Sequence, residues 1–236
     1  IFLRRHLPVL KDLAADFQIT AVSRRDPDKL AEAQQAAGCP RAYTDWRKLL
    51  DDPELDAVLI ASLNALHAPM TRAAVERGKD VLCEKPPGVN HREVLDVARA
   101  AERSGRIVQY GFLMRFSEET RRAKQAVDSG VLGNIYHVRA VWLRRRGIPT
   151  HGSWFTTRAL SGGGALLDLG SHLLDRALHL LGYPEVLVVS ALTHARMRET
   201  AVRHALPTGE KSGATGVCDV EDLGVCLFRV PGGVRR

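Results

Sequence analysis

Gly162-Gly-Gly-Ala-Leu-Leu-Asp168-Leu-Gly-Ser-His172-Leu-Leu-Asp175, taken with Val81-Leu-Cys-Glu84-Lys85-Pro86 upstream, decides how the chain is read. After the glycines, Leu166, Leu169, Leu173, Ala177, Leu180 and Leu181 return at helical spacing, which predicts a helix whose first turns carry Asp168 and His172. Four residues are slightly more than one turn, so the carboxylate and the imidazole stack and can address one small molecule. A histidine on a leucine-rich helix is also ordinary core composition, and an acid near a helix start is ordinarily a dipole partner. Three consecutive glycines weigh against that bland reading: they disfavour helix and strand alike and let another molecule approach the backbone closely.

The upstream stretch ends an apolar strand, Asp80 to Cys83, that belongs to a longer alternation. Phe17 to Val22 reads as a buried strand, followed by the loop Ser23 to Pro27 and a helix from about Asp28 to Ala37, closed by Gly38. Arg41 to Tyr43 reads as a short strand, Trp46 to Leu50 as a short helix, and Ala57 to Ala61 as a further strand. Ser62 to Asn64 caps a helix over Ala65 to Arg77, ended by Gly78; a helix over 91–103 and a strand from Ile107 to Gly111 complete the series. Strands alternating with helices predict a parallel α/β sheet covered on both faces, with ligands bound beyond the strands' carboxyl ends. Asn64, Glu84, Lys85 and Arg115 each follow a strand, so that rule gathers them at one crevice.

Past Phe116 the pattern changes. A helix to about Ser129, a long alternating strand from Ile135 to Leu143, a loop with Trp154, the glycine-led helix, and strands near Val186 to Leu192 and Gly224 to Arg229 follow. This predicts an α+β domain with a mainly antiparallel sheet and an exposed or oligomerising face. The domain boundary is expected near Phe112, giving residues 1–111 and 112–236.

Composition narrows the function classes. The 236 residues are 45% hydrophobic and 26% charged, ordinary for a globular protein. Lys and Arg (34) exceed Asp and Glu (27), a net charge of +7, which asks for an acidic partner. Arg4-Arg5, Arg24-Arg25 and Arg144-Arg145-Arg146 are scattered and lack interleaved aromatics, so a phosphate-bearing small molecule is expected rather than nucleic acid. Cys39, Cys83, Cys218 and Cys226 show neither a C-x-x-C pair nor zinc-ligand spacing, so no disulfide scaffold or metal is expected, and reduced thiols fit cytoplasm best. No run has the eighteen or so apolar residues of a membrane span, so no membrane partner is expected.

His6-Leu-Pro8, Asn64-Ala-Leu-His67, Gly78-Lys-Asp-Val-Leu-Cys-Glu84-Lys85-Pro86, Gly111-Phe-Leu-Met-Arg115-Phe116, Gly130-Val-Leu-Gly133, the glycine-led helix and Val220-Glu221-Asp222 follow in order. This set resembles the glucose-fructose oxidoreductase, inositol dehydrogenase and rhizopine catabolism family (Gfo/Idh/MocA) of NAD(P)-dependent oxidoreductases, over essentially the whole chain. The resemblance implies a Rossmann domain followed by a mainly antiparallel sheet domain, a sugar, cyclitol or related polyol as substrate, and a homo-oligomer built through the second-domain sheet. It places Glu84-Lys85-Pro86 beside the nicotinamide and matches Lys85, Asp168 and His172 to the family's catalytic residues. Chemistry agrees: oxidising a secondary alcohol requires a base near neutral pH for the hydroxyl proton, and a cation to stabilise the developing alkoxide. His67 and Arg115 match cofactor-proximal positions, with Ser62 and Asn64 beside them, although capping or surface roles fit these four as well. Asp175 and His179 are read as structural.

Ser23, Arg24 and Arg25 stand where a Rossmann protein selects its coenzyme. An acid there would accept from ribose hydroxyls, whereas Ser and Arg suit a 2′-phosphate, so NADP is favoured over NAD. The family's first strand and glycine-rich turn are absent, and the chain reads as part of a longer protein, with unpaired edges expected on two neighbouring strands. Two other functions fit the same residues: a non-catalytic nucleotide or sugar sensor, and a glycosidase that uses transient oxidation.

Overall fold

The computed structural model describes residues 2–144, 149, 151–196 and 216–231. The chain folds as two compact units, one comprising residues 1–62, 67–84 and 92–109, the other 63–66, 85–91 and 110–236. Arg145 and Arg146 of the arginine run lie outside the described residues.

In the first unit a π-helical turn, Phe2–His6, runs into α1 (Leu7–Asp12). There follow β1 (Ala21–Ser23), α2 (Pro27–Ala37), β2 (Arg41–Tyr43), α3 (Trp46–Leu50), β3 (Ala57–Ile60), α4 (Asn64–Glu76), β4 (Asp80–Cys83), α5 (His91–Ser104) and β5 (Val108–Tyr110). β1 and β2 pair in parallel, Ala21 opposite Arg41 through Ser23 opposite Tyr43. β3 and β4 do the same, Ala57 opposite Asp80 through Ile60 opposite Cys83, and β5 flanks β4. The two ladders are separate, so the parallel sheet carries a break between them. The strand expected from Phe17 to Val22 is confined to Ala21–Ser23. A strand exists only where a neighbour completes its hydrogen bonds, and β2 offers three residues.

Local chemistry sets the helix limits. Asp26 caps α2 by accepting from Asp28 N (3.1 Å) and Lys29 N (3.2 Å), Pro27 supplies a pre-set first helical residue, and Gly38 closes the helix at φ 65°. Val22, Leu30 and Cys39 form a core cluster against Phe2, Ile19, Ala37 and Ala42. Val75, Val81, Cys83, Val97 and Ala100 are buried as well.

In the second unit a 3-10 turn, Leu113–Phe116, precedes α6 (Glu118–Asp128), which Ser117 caps by accepting from Thr120 N. Next come a 3-10 turn at Trp154–Thr156, α7 (Arg158–Ser161), a π-helical turn at Leu166–Gly170, α8 (Ser171–Leu181), β6 (Val188–His194) and β7 (Leu223–Arg229). β6 and β7 are antiparallel, from Val188 opposite Arg229 to His194 opposite Leu223. The alternating stretch Ile135 to Leu143 forms no ladder and leaves Tyr136, Val141 and Leu143 exposed, since alternation marks a face for a sheet but does not supply the partner strand. Among the described residues of this unit, Pro86, Val220, Asn64, Thr120, Thr156, Ser161, His172, Asp175 and Glu221 are buried. Val189, Leu192, Val225 and Leu227 of the antiparallel pair are exposed. Among the described residues, no helix is long and apolar enough to cross a membrane, and no group of three His, Cys, Asp or Glu is placed to hold a metal ion.

Candidate active site

The three glycines are filled by the chain itself. A Cβ at Gly164 would stand 1.8 Å from the Glu221 carbonyl oxygen, and one at Gly162, whose φ is 81°, would stand 2.7 Å from Val89 Cβ. The molecule that approaches this backbone is therefore the protein's own segment around Glu221 and Val89, a correction to the expectation that the glycines admit a foreign one. Glu221 Oε1 accepts from Gly164 N (2.8 Å) and Leu166 N (3.1 Å), and its carbonyl accepts from Ala165 N (2.9 Å). Its carboxylate thus satisfies donors that a starting helix leaves open, where the helix dipole favours negative charge. Arg158 Nη2 balances it, 3.7 Å from Oε2.

Past this anchor the backbone widens into the π-helical turn Leu166–Gly170, which carries Asp168, and narrows into α8, which carries His172 in its first turn. Such turns recur at functional sites because they re-aim side chains and carbonyls within an otherwise regular helix. The Asp168 carbonyl accepts from Lys85 Nζ (2.9 Å) and Ser171 Oγ (3.3 Å). Lys85 Nζ also donates to Asp168 Oδ1 at 2.5 Å, so one ammonium grips both the backbone and the side chain of one residue. Lys85 and Asp168 stay partly open to solvent, with side chains 16% and 28% exposed. His172 is buried and meets two rings, Phe112 edge-on with centroids 6.3 Å apart and Trp142 tilted at 6.2 Å. The unit therefore presents an ammonium held by a carboxylate, with an imidazole one turn further along.

Two other expected site residues bond to groups of the same unit. Asn64, buried, donates from Nδ2 to the Ser161 carbonyl at 2.9 Å, tying the start of α4 to the residue before the glycines. Arg115 forks onto Asp175: Nε donates to Oδ2 at 2.8 Å and Nη2 to Oδ1. This bond, the foremost cause, holds the guanidinium above its ordinary range. Arg115 also lies over the Phe112 and Tyr183 rings, 5.7 and 5.4 Å from their centroids.

The remaining candidates lie in the first unit. The parallel register carries β3 and β4 to a common carboxyl end, where Glu84 N donates to the Ile60 carbonyl at 2.9 Å and Ser62 follows two residues on. Glu84 Oε1 meets His6 Nε2 at 2.8 Å, and buried His67 turns its Nε2 to the Ser62 carbonyl at 3.2 Å. Ser23 ends β1, and Arg24 and Arg25 follow it exposed; Asp26, the nearest acid, is engaged in capping α2. Hydroxyl and guanidinium groups at the carboxyl end of a parallel strand fit the phosphorylated end of a dinucleotide.

Residues 1–112 match the oxidoreductase family with an NAD-binding Rossmann fold, and residues 120–235 match the GFO/IDH/MocA C-terminal domain. The chain is similar to the D-glucoside 3-dehydrogenase of Escherichia coli (strain K12), 36% identical over 179 residues that cover 75% of this chain and 50% of that protein. Among solved structures it is similar to an oxidoreductase domain protein from Kribbella flavida, with a TM-score of 0.81 and 26% identity, covering 97% of this chain and 61% of that one. It is also similar to a levoglucosan dehydrogenase in complex with NADH and L-sorbose, with a TM-score of 0.71 and 27% identity, covering 90% of this chain and 54% of that one. The chain thus spans 50% to 61% of the length of these three proteins.

Proposed function

Because the chain belongs to the Gfo/Idh/MocA family of oxidoreductases, we propose that it acts as an NAD(P)-dependent dehydrogenase on a sugar, cyclitol or related polyol, moving hydride between nicotinamide and a secondary hydroxyl or carbonyl. The observation that carries this reading is the grip of Lys85 Nζ on Asp168 at 2.5 Å, with buried His172 one turn further along the same helix. The nicotinamide, when bound, supplies the hydride acceptor or donor. In the oxidative direction His172 takes the hydroxyl proton as the C–H pair departs as hydride and the C–O bond becomes a carbonyl. Lys85 stabilises the negative charge that grows on the oxygen, and Asp168 fixes the ammonium in place so that little reorganisation accompanies the reaction. In the reductive direction His172 returns the proton.

Ser23, Arg24, Arg25, Ser62, His67 and Glu84, within residues 1–111, are assigned to coenzyme binding, and residues 112–236 to substrate binding. Asn64 and Arg115 keep the site's shape. NADP is the preferred coenzyme, because two exposed arginines follow β1 and the adjacent acid is occupied by its cap. The exposed apolar residues of β6 and β7 support association with a second copy. The test is to screen the full-length protein for reduction of NADP or NAD over a panel of aldoses, glycosides and cyclitols. Turnover that Lys85→Ala and His172→Ala abolish supports the assignment; turnover indifferent to both overturns it.

A further inference from the structure

The ring standing edge-on to His172 is held by an ion pair that proton transfer itself does not use, and we infer that Arg115 and Asp175 are positioning residues for the His172 imidazole. The inference rests on reading His172 as the base. Asp175 follows His172 by three residues on α8, so the two side chains rise from one face of the helix, and both are buried. Arg115 belongs to the 3-10 turn Leu113–Phe116 and meets Asp175 with two donors on two acceptors. A planar guanidinium paired in this way fixes direction as well as distance, which a lysine cannot do.

The guanidinium lies over two rings. Tyr183 follows Gly182, the residue that closes α8, and Phe112 immediately precedes the 3-10 turn. The end of α8, the turn and Phe112 are thereby fastened together. Phe112 in turn presents its edge to the imidazole at 88° and 6.3 Å, and Trp142 lies tilted to it at 6.2 Å. Both rings bear on the imidazole, and the position of Phe112 depends on the ion pair.

The experiment uses the full-length protein with Arg115→Met, Asp175→Asn and both together. Each single variant is expected to lower kcat by about tenfold or more, with KM for the sugar and Kd for the coenzyme within about twofold, and the double variant to be no slower than the slower single. Arg115→Lys, which keeps the charge and loses the fork, is expected to give an intermediate kcat and decides the matter if Arg115→Met does not fold. Independently of turnover, the nitrogen-15 resonances of the His172 ring, assigned with His172→Gln, are expected to move in the Arg115 variants. If the native protein oxidises no polyol while those resonances still move, the proposed function fails and the positioning role stands. Unchanged kcat with only a lower melting temperature, or unmoved His172 resonances, overturns the inference.

Discussion

Gly164 tolerates no side chain, because the atom a Cβ would strike is the Glu221 carbonyl oxygen, a backbone atom that accepts from Ala165 and cannot swing aside. Gly164→Ala is expected to cost about 3 kcal/mol or more, measured by urea denaturation, since overpacking against backbone sits at the upper end of such penalties. Lys85→Ala and His172→Ala address chemistry instead, and each is expected to lower kcat about a hundredfold or more while leaving the urea midpoint far less affected than Gly164→Ala does. Arg24→Asp and Arg25→Asp should each weaken NADPH binding by about tenfold, with NADH changed far less, as expected when a charged hydrogen bond to a 2′-phosphate is lost; equal losses for both coenzymes, read by nucleotide fluorescence, would reject the NADP assignment. Asp168 and His172 stood out by their helical spacing and Lys85 by its place between an acid and a proline after an apolar strand, while the roles proposed for them rest on the family resemblance. Glu221 was visible only as part of a motif, and its role was not legible, because the groups it satisfies lie more than fifty residues away and nothing local says which segment will close over three glycines.

Elements differ from residues in that a partner decides whether they exist. Two helices were legible nearly to the residue: Pro27–Ala37 carries its own Asp cap, proline start and glycine stop, and Trp46–Leu50 begins at a capping acid, Asp45, whereas α7 fell in a stretch read as loop. Strands carry no such internal stop. Phe17 to Val22 keeps only the part that faces β2, and Ile135 to Leu143 has the right alternation and no ladder. The π-helical turn was not legible either, because its leucine spacing reads equally well as continuous α-helix; the widening coincides with Glu221 below it and Lys85 beside it. That dependence gives a prediction for the element. Glu221→Ala leaves the N–H groups of Gly164 and Leu166 without their acceptor and should cost about 2 kcal/mol, whereas Glu221→Gln, which keeps one acceptor oxygen, should cost about half as much. Backbone hydrogen exchange at Leu166 should quicken in Glu221→Ala and change little in Glu221→Gln; equal exchange in both would assign the anchor to the Glu221 backbone alone.

For the molecule as a whole, the resolved shifts of its neutral acids share one sign. Burial, the leading cause in each case, raises Cys39, Tyr43 and Tyr183 and pushes Cys83 from 9.0 to about 12. In the unfolded chain a thiol like Cys83 gives up its proton near pH 9, while the folded protein retains it until about pH 12. Between those values the native state binds more protons than the unfolded state, so unfolding becomes easier as pH rises. Stability from this thiol is complete below pH 9 and is lost across the window up to about 12, at no more than about 1.4 kcal/mol per pH unit for one proton. Cys83 ends β4 and its thiol donates to the Glu84 carbonyl, so this loss starts at the carboxyl end of that strand. Melting temperatures of full-length protein from pH 8 to 11 should therefore decline, and Cys83→Ala, though less stable at pH 8 through the small void it leaves, should decline less steeply over the same range. Parallel curves for the two proteins would mean that the alkaline loss comes from Cys39, Tyr43 and Tyr183 and that the Cys83 thiol titrates as an ordinary one. Alkylation of native protein at pH 8.5 reads the same property directly: Cys83 is expected to resist iodoacetamide until denaturant is added, because only thiolate reacts.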